Sequence, residues 1–296
     1  MINAFRRIPR DLPGNPDIRI IGPQSSGKTT FMASLARWPN AKLDSPIQSV
    51  NPFDDESGRL IAIAQDILEN GLSMAPTRPD EDVHSLPLYT LLIELKPAFQ
   101  IGNIGNNLRF QVSCREYSGE IIKDLRGGSS GINLSDYLDD CADSSGLLLL
   151  VDGTSREDNH YAQAFATLQT ELNVRLIGRN KNLRQYRIAV VFSKAEQAQV
   201  WIHRYDIQKF TNRRFPKTKE TLNKWSKTWR CPMNYFFCSA FGMKGSPATP
   251  NVKVQSRESG GTYAVIDNTS VWRPFGLVAP IYWLHTGKDD QRLRDL

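Results

Sequence analysis

The sequence predicts an α/β protein in three layers, with a mostly parallel sheet covered on both faces by helices. Three observations predict it. Short apolar runs bounded by turn residues alternate with segments of helical period, the pattern of strands joined by crossover helices. One run, LLLLV at 147–151, is apolar throughout, as suits a central strand buried on both faces. A glycine-bearing turn, GPQSSG, joins the first apolar run directly to the first helical segment.

In chain order, DIRIIG at 17–22 reads as a strand and KTTFMASLAR at 28–37 as a helix. Residues 54–70 carry Leu60, Ile61, Ile63, Ile67 and Leu68 at helical spacing. The runs 88–95 and 108–114 are strand-like, and the turn between them holds several Gly and Asn, so they are expected to pair antiparallel. Strands follow at 146–152, 186–192 and 234–238, with the clearest intervening helix at 161–176. The stretch 245–270 is rich in Ser, Gly, Thr and Pro and reads as a loop or weak hairpin. Residues 272–284 read as a short closing helix or turn packed on the sheet. The expected organisation is an N-terminal extension at 1–16 and one elaborated domain at 17–296. That domain would carry inserts at about 40–86 and 201–230 and a C-terminal extension at 243–296.

The chain has 296 residues, 40% of them apolar or aromatic, enough for one good core with a modest appendage. A formal charge of +6 fits an anionic ligand or partner without choosing one. No apolar run is long enough to cross a bilayer, and the basic start lacks the apolar stretch of a secretory signal. Cys114, Cys141, Cys231 and Cys238 form no C-x-x-C pair, so they read as reduced structural thiols in a cytoplasmic protein.

Residues 22–29, GPQSSGKT, match G-x-x-x-x-G-K-[ST] between a strand and a helix. The chemistry explains the spacing. Gly22 and Gly27 let the backbone curl so that the N–H groups of Ser25, Ser26 and their neighbours converge on phosphate oxygens. The helix beginning at Lys28 turns its positive end to the same phosphates. Lys28 is placed to reach the β- and γ-phosphates, Thr29 to put its hydroxyl on Mg²⁺, and Thr30 lies in the same first turn.

Later motifs bear on which kind of P-loop protein this is. REYSGE at 115–120 follows a strand and resembles D-x-x-G, with Glu116 in the acidic position and Gly119 in the glycine position. FSKAEQ at 192–197 resembles N-K-x-D, with Ser193 for Asn, Lys194 kept, and Glu196 for Asp. FFCSAFG at 236–242 resembles the S-A-[KL] loop through Ser239 and Ala240. In this order, over residues 17–242, the chain resembles P-loop GTPases of the Ras-like and translation-factor-related class. The resemblance implies a three-layer P-loop NTPase fold with one antiparallel strand and Ras-like topology with insertions. It implies GTP/GDP and Mg²⁺ as ligands, Glu116 holding the metal through water, the Gly119 N–H on the γ-phosphate, and Glu196 reading guanine. More narrowly, the degenerate guanine motif, the long early insert and the ending WRPFGLVAPIYWLHTG resemble bacterial double-GTPase-type proteins of predicted signalling or conflict systems. That likeness implies a protein effector or a second GTPase as partner.

Lys28 and Glu116 are 88 residues apart, and Thr77, held extended between Pro76 and Pro79, is the candidate switch threonine and metal ligand. Glu120 stands where a water-orienting Gln is usual, as a candidate base, and Arg115 and Arg126 flank that switch. The expectation is a guanine-nucleotide switch with slow, partner-stimulated hydrolysis. Two alternatives stay open: a non-hydrolysing nucleotide-dependent interaction module, and an ATPase using Asp152 as its Walker B acid. The basic segment 203–230 contains Trp225 and Trp229. Its aromatics either face out to bases or acidic lipids, or dock into the core and leave a solvated basic face for an acidic partner.

Overall fold

The structure, a computed structural model, describes residues 17–23, 25–72, 87–99, 109–115, 121–127, 132–256 and 262–294. The chain begins with β1 (Asp17–Ile21), α1 (Lys28–Ala41), β2 (Ile47–Pro52), α2 (Asp55–Glu69), β3 (Leu88–Leu95) and β4 (Arg109–Arg115). Next come α3 (Ile121–Gly127), α4 (Ile132–Asp143), β5 (Gly146–Asp152), α5 (Asp158–Gly178) and β6 (Arg187–Ser193). Helices α6 (Ala198–Trp201), α7 (Ile207–Arg214) and α8 (Pro216–Trp229) lead to β7 (Met233–Phe237). Two small hairpins follow, β8 (Met243–Lys244) with β9 (Thr249–Pro250) and β10 (Val252–Ser256) with β11 (Thr262–Ile266). Helices α9 (Val278–Thr286) and α10 (Gln291–Arg294) close the chain.

Seven strands form one sheet in the order β2-β3-β4-β1-β5-β6-β7. β3 runs antiparallel to both of its neighbours, Leu88 facing Arg115 across to β4. All other pairings are parallel. This is the Ras-like strand order with one strand, β2, added outside β3. The sequence predicted six of the seven strands and missed β2. Its six residues, IQSVNP, place their two aliphatic residues three apart and end in proline, so no two-residue alternation marks the strand. As an edge strand it buries little beyond Ile47, which is why so weak a pattern suffices.

The sheet is covered on both faces, and β5 shows why its sequence is apolar throughout. Leu148 and Leu150 point into the layer formed with α1, α2 and α9, among Phe31, Trp38, Leu60 and Ile281. Leu147, Leu149 and Val151 point into the other layer, among Leu138, Leu168, Phe192 and Trp225. Trp225 and Trp229 of the basic segment are both buried and meet edge to face at 5.2 Å. Phe210, Phe215 and both tryptophans of the segment therefore build the core, while Tyr205 and most of its cations are exposed.

The starts of α2 and α8 are fixed by aspartate side chains. Asp54 caps α2 by accepting from the Ser57 N–H at 2.8 Å, and the Ser57 hydroxyl accepts from the Thr90 N–H at 2.8 Å, tying the cap to β3. Asp158 accepts from the N–H groups of Lys217 and Thr218, both at 2.9 Å, and so caps α8 from α5, where Pro216 opens the helix. The closing helix expected at 272–284 is α9, packed on the sheet with Ile281 and Leu284 buried. None of the described helices is long and apolar enough to cross a membrane.

Candidate nucleotide-binding site

The predicted cradle lies between β1 and α1, at the carboxyl ends of the central parallel strands. A Cβ at Gly22 would stand 2.6 Å from the Leu150 carbonyl oxygen and 2.6 Å from Ser26 Oγ, so only glycine lets the loop cross β5 here. Ser25 (φ 62°) and Gly27 (φ 92°) are left-handed, and the two turns curl the loop onto the start of α1. Ser26 is fully buried, and its hydroxyl donates to the Pro23 carbonyl at 2.9 Å. Lys28 Nζ donates to the Gly22 and Pro23 carbonyls at 2.9 and 3.1 Å, which holds its ammonium over the loop. Thr29 and Thr30 follow in the first turn of α1, both half-buried.

The loops after β6 and β7 sit beside this cradle and are bonded to it and to each other. Ser193 Oγ donates to the Ser26 carbonyl at 2.7 Å. The short side chain in the Asn position thus ties the phosphate loop to β6. Ala195 N–H donates to the Cys238 carbonyl at 3.0 Å, joining the two loops that the sequence assigns to base reading. Ser239 pairs with Phe275 through both backbone groups, and its hydroxyl accepts from the Gly242 N–H at 2.8 Å. The Ala240 carbonyl accepts from Trp272 Nε1 at 2.9 Å and from Ser34 Oγ at 3.3 Å. Sequence reasoning missed this bracing by Trp272 and Phe275. Trp272 acts through its indole N–H and Phe275 through its backbone, and no local pattern signals either contact.

Glu196 is the unusual group. It is 2% exposed, and its Oε2 has no hydrogen-bond partner among the described residues. Burial pushes its carboxyl above the ordinary glutamate range, against the opposing pull of the Ser239 hydroxyl. A buried carboxylate oxygen without a donor is costly while ionised, and either a proton or a ligand's donors would relieve it. Guanine brings two, at N1–H and the 2-amino group. Adenine has an acceptor at N1 and no 2-amino group.

Asp152 is engaged elsewhere. Its carboxylate accepts from Lys194 Nζ at 2.6 Å and from the Thr154 N–H and hydroxyl at 2.9 and 2.7 Å. Lys194 itself is left-handed, φ 58°. A Cβ at residue 153 would stand 2.7 Å from the Ser193 carbonyl oxygen, so Gly153 could not be replaced by a second acid without moving β6. This geometry disfavours a Walker B pair at Asp152.

Four predicted residues, Thr77, Glu116, Gly119 and Glu120, lie outside the described residues. Arg115, just before them, is 8% exposed and stands 3.6 Å from Asp140, which also takes two 3.0 Å bonds from Arg19. Burial would raise the Asp140 carboxyl, yet the two guanidinium groups hold it below its ordinary value. Arg115 is thus committed to an interior ion pair, while Arg126 is exposed on α3. No group of three or more His, Cys, Asp or Glu side chains arranged for a metal occurs among the described residues. The four cysteines are buried and none is in a disulfide.

The chain is an α/β protein of P-loop architecture with the strand order of Ras-like GTPases. No family model matches it, and no curated protein matches its sequence. Among solved structures it is similar to the signal recognition particle receptor SRb, from the SRb-GTP/SRX complex of Chaetomium thermophilum. The identity is 10% and the TM-score 0.39, over 79% of this chain and 94% of that one. It is also similar to the GTPase-like domain of S. cerevisiae Ski7 bound to GDP and inorganic phosphate (13%, TM-score 0.37, 77% and 43%). A third is bacterial selenocysteine-specific elongation factor EF-Sec (15%, TM-score 0.31), of which the match spans 26% against 77% of this chain. At such scores none of these proteins lends this chain its ligand or its partner.

Proposed function

We propose that the protein is a guanine-nucleotide-binding switch. One observation carries the reading: Glu196, buried with an unpartnered carboxylate oxygen, sits on a loop that Ser193 bonds to the phosphate loop and Ala195 bonds to the Ser239–Ala240 loop. In this reading the loop of Gly22, Ser25, Ser26 and Gly27 holds the phosphates, with Lys28 swinging from its carbonyl partners to them. Thr29 offers its hydroxyl to Mg²⁺, with Thr77 and Glu116 completing the metal's surroundings and Gly119 meeting the γ-phosphate. Glu196 takes the two donors of guanine, and the Ala240 N–H faces the base oxygen. Hydrolysis is slow in the isolated protein, and a protein partner, a second GTPase among the candidates, supplies what the switch lacks.

Glu196→Gln tests the base assignment. The amide keeps the shape and loses the charge and one acceptor, a difference of about 1.5–3 kcal/mol for charge-assisted bonds. GTP and GDP affinity should fall roughly 10- to 150-fold by titration, with ATP unchanged. Equal, small effects on GTP and ATP would favour the ATPase reading with Asp152.

A further inference from the structure

The segment 203–230 holds nine Lys or Arg against two acids, an excess larger than the +6 of the whole chain. Several arginines elsewhere are paired with acids: Arg37 with Glu69, Arg179 with Asp139 and Asp143, Arg292 with Asp290 and Arg294 with Asp289. In 203–230 a single ion pair occurs among the described residues, between Lys224 and Glu220. The second acid, Asp206, is used as the cap of α7. Lys209, Arg213, Lys227 and Arg230 are all exposed and have no side-chain partner among the described residues. Folding leaves this charge uncompensated and pointing outward, at a cost in self-repulsion that a passive solvated face would not need.

The same folding decides which polyanion the face suits. Phe210, Phe215, Leu222, Trp225 and Trp229 are buried beneath it, so no indole is offered to stack on a base. The exposed apolar groups are Ile202, 67% exposed, and Tyr205, 77% exposed, and the Tyr205 ring is already covered at 4.3 Å by the Arg204 guanidinium. His203, between them in sequence, is buried against Phe210. Burial lowers its pKa first, and Arg213 and Lys209 lower it further. An exposed aliphatic and a tyrosine beside a cluster of five lysines and four arginines suit a lipid interface, where the apolar groups enter the headgroup level and the cations meet anionic headgroups. Duplex phosphates would leave Ile202 and Tyr205 without a role.

We propose that the face formed by the 202–205 turn, α7 and the outer side of α8 docks on an anionic phospholipid surface. This does not depend on the nucleotide reading. The test is cosedimentation of the full chain with vesicles of phosphatidylcholine alone and of equal parts phosphatidylcholine and phosphatidylserine, at low and high salt. Binding is expected with phosphatidylserine only, weakening with salt. The variant Lys209→Gln/Arg213→Gln/Lys227→Gln should bind about 100-fold more weakly, with unchanged thermal melting because the three side chains are solvated. Ile202→Ser/Tyr205→Ser should weaken the binding that survives high salt. No binding to either vesicle, equal binding to both, or an unaffected triple variant overturns the proposal. Stronger binding to a duplex or single-stranded oligonucleotide than to the phosphatidylserine vesicles would also overturn it and give the face to nucleic acid.

Discussion

At the scale of single residues, Glu196 makes affinity and stability pull in opposite directions. Its carboxyl is held above the ordinary glutamate range by burial, so the folded protein binds that proton more tightly than the unfolded chain does. Its contribution to stability is then greatest below the unfolded-state pKa and is lost as pH rises through the raised folded-state value. Above the unfolded-state value the nucleotide-free protein carries that cost. Glu196→Gln should therefore raise its melting temperature at neutral pH, and the gain should shrink on acidification as the wild-type carboxyl takes up its proton. GTP affinity of the wild type should fall over the same acid range, since a protonated carboxyl is a poor acceptor for guanine N1–H. Melting curves and GTP titrations at matched pH values check both. A variant that melts lower than the wild type at neutral pH would mean that Glu196 is satisfied without a ligand.

At the scale of elements, α8 shows how one helix serves two ends. Its inner face carries Leu222, Trp225 and Trp229 into the layer against α5 and β6, and its outer face carries lysines. Trp225→Ala should cost about 3–5 kcal/mol, the range for a large buried side chain replaced by a cavity, and denaturant unfolding measures it. A loss under about 1 kcal/mol would place the indole outside the core. The i, i+4 spacing of the two tryptophans made this docking legible in the sequence. Strand β2 was not legible, because Ile47 alone anchors it and its exposed neighbours obey no alternation. The bracing of the Ala240 loop by Trp272 was equally hidden. It is a contact between segments 32 residues apart, and no local pattern encodes which carbonyl an indole will find. The phosphate loop was legible because its demands are local: a glycine where a Cβ would strike Leu150, left-handed backbone at Ser25 and Gly27, and a lysine one residue later.

At the scale of the whole molecule, the site exists only because parallel strands distant in sequence end side by side. Ser26, the Ser193–Ala195 turn and Cys238 come from three stretches of chain and are joined by two hydrogen bonds, Ser193 to Ser26 and Ala195 to Cys238. The same assembly bears on turnover. Phosphoryl transfer needs positive charge at the γ-phosphate, and the arginine nearest the candidate switch in sequence, Arg115, is turned inward to Asp140 beside Arg19. Freeing it would break this interior contact, although Asp140 would keep its two 3.0 Å bonds from Arg19. The isolated protein should therefore hydrolyse GTP slowly, and the missing charge should come from another molecule, worth about 10³–10⁵-fold in rate where such a residue is supplied. Hydrolysis measured against protein concentration, alone and with candidate partners, separates the cases. Rates per molecule that rise with concentration point to a second copy, and rates that rise only with a partner point to that partner. Arg115→Ala should leave the slow basal rate unchanged and lower stability. Fast turnover by the dilute wild type, lost in Arg115→Ala but not in Asp140→Asn, would show that Arg115 reaches the nucleotide after all.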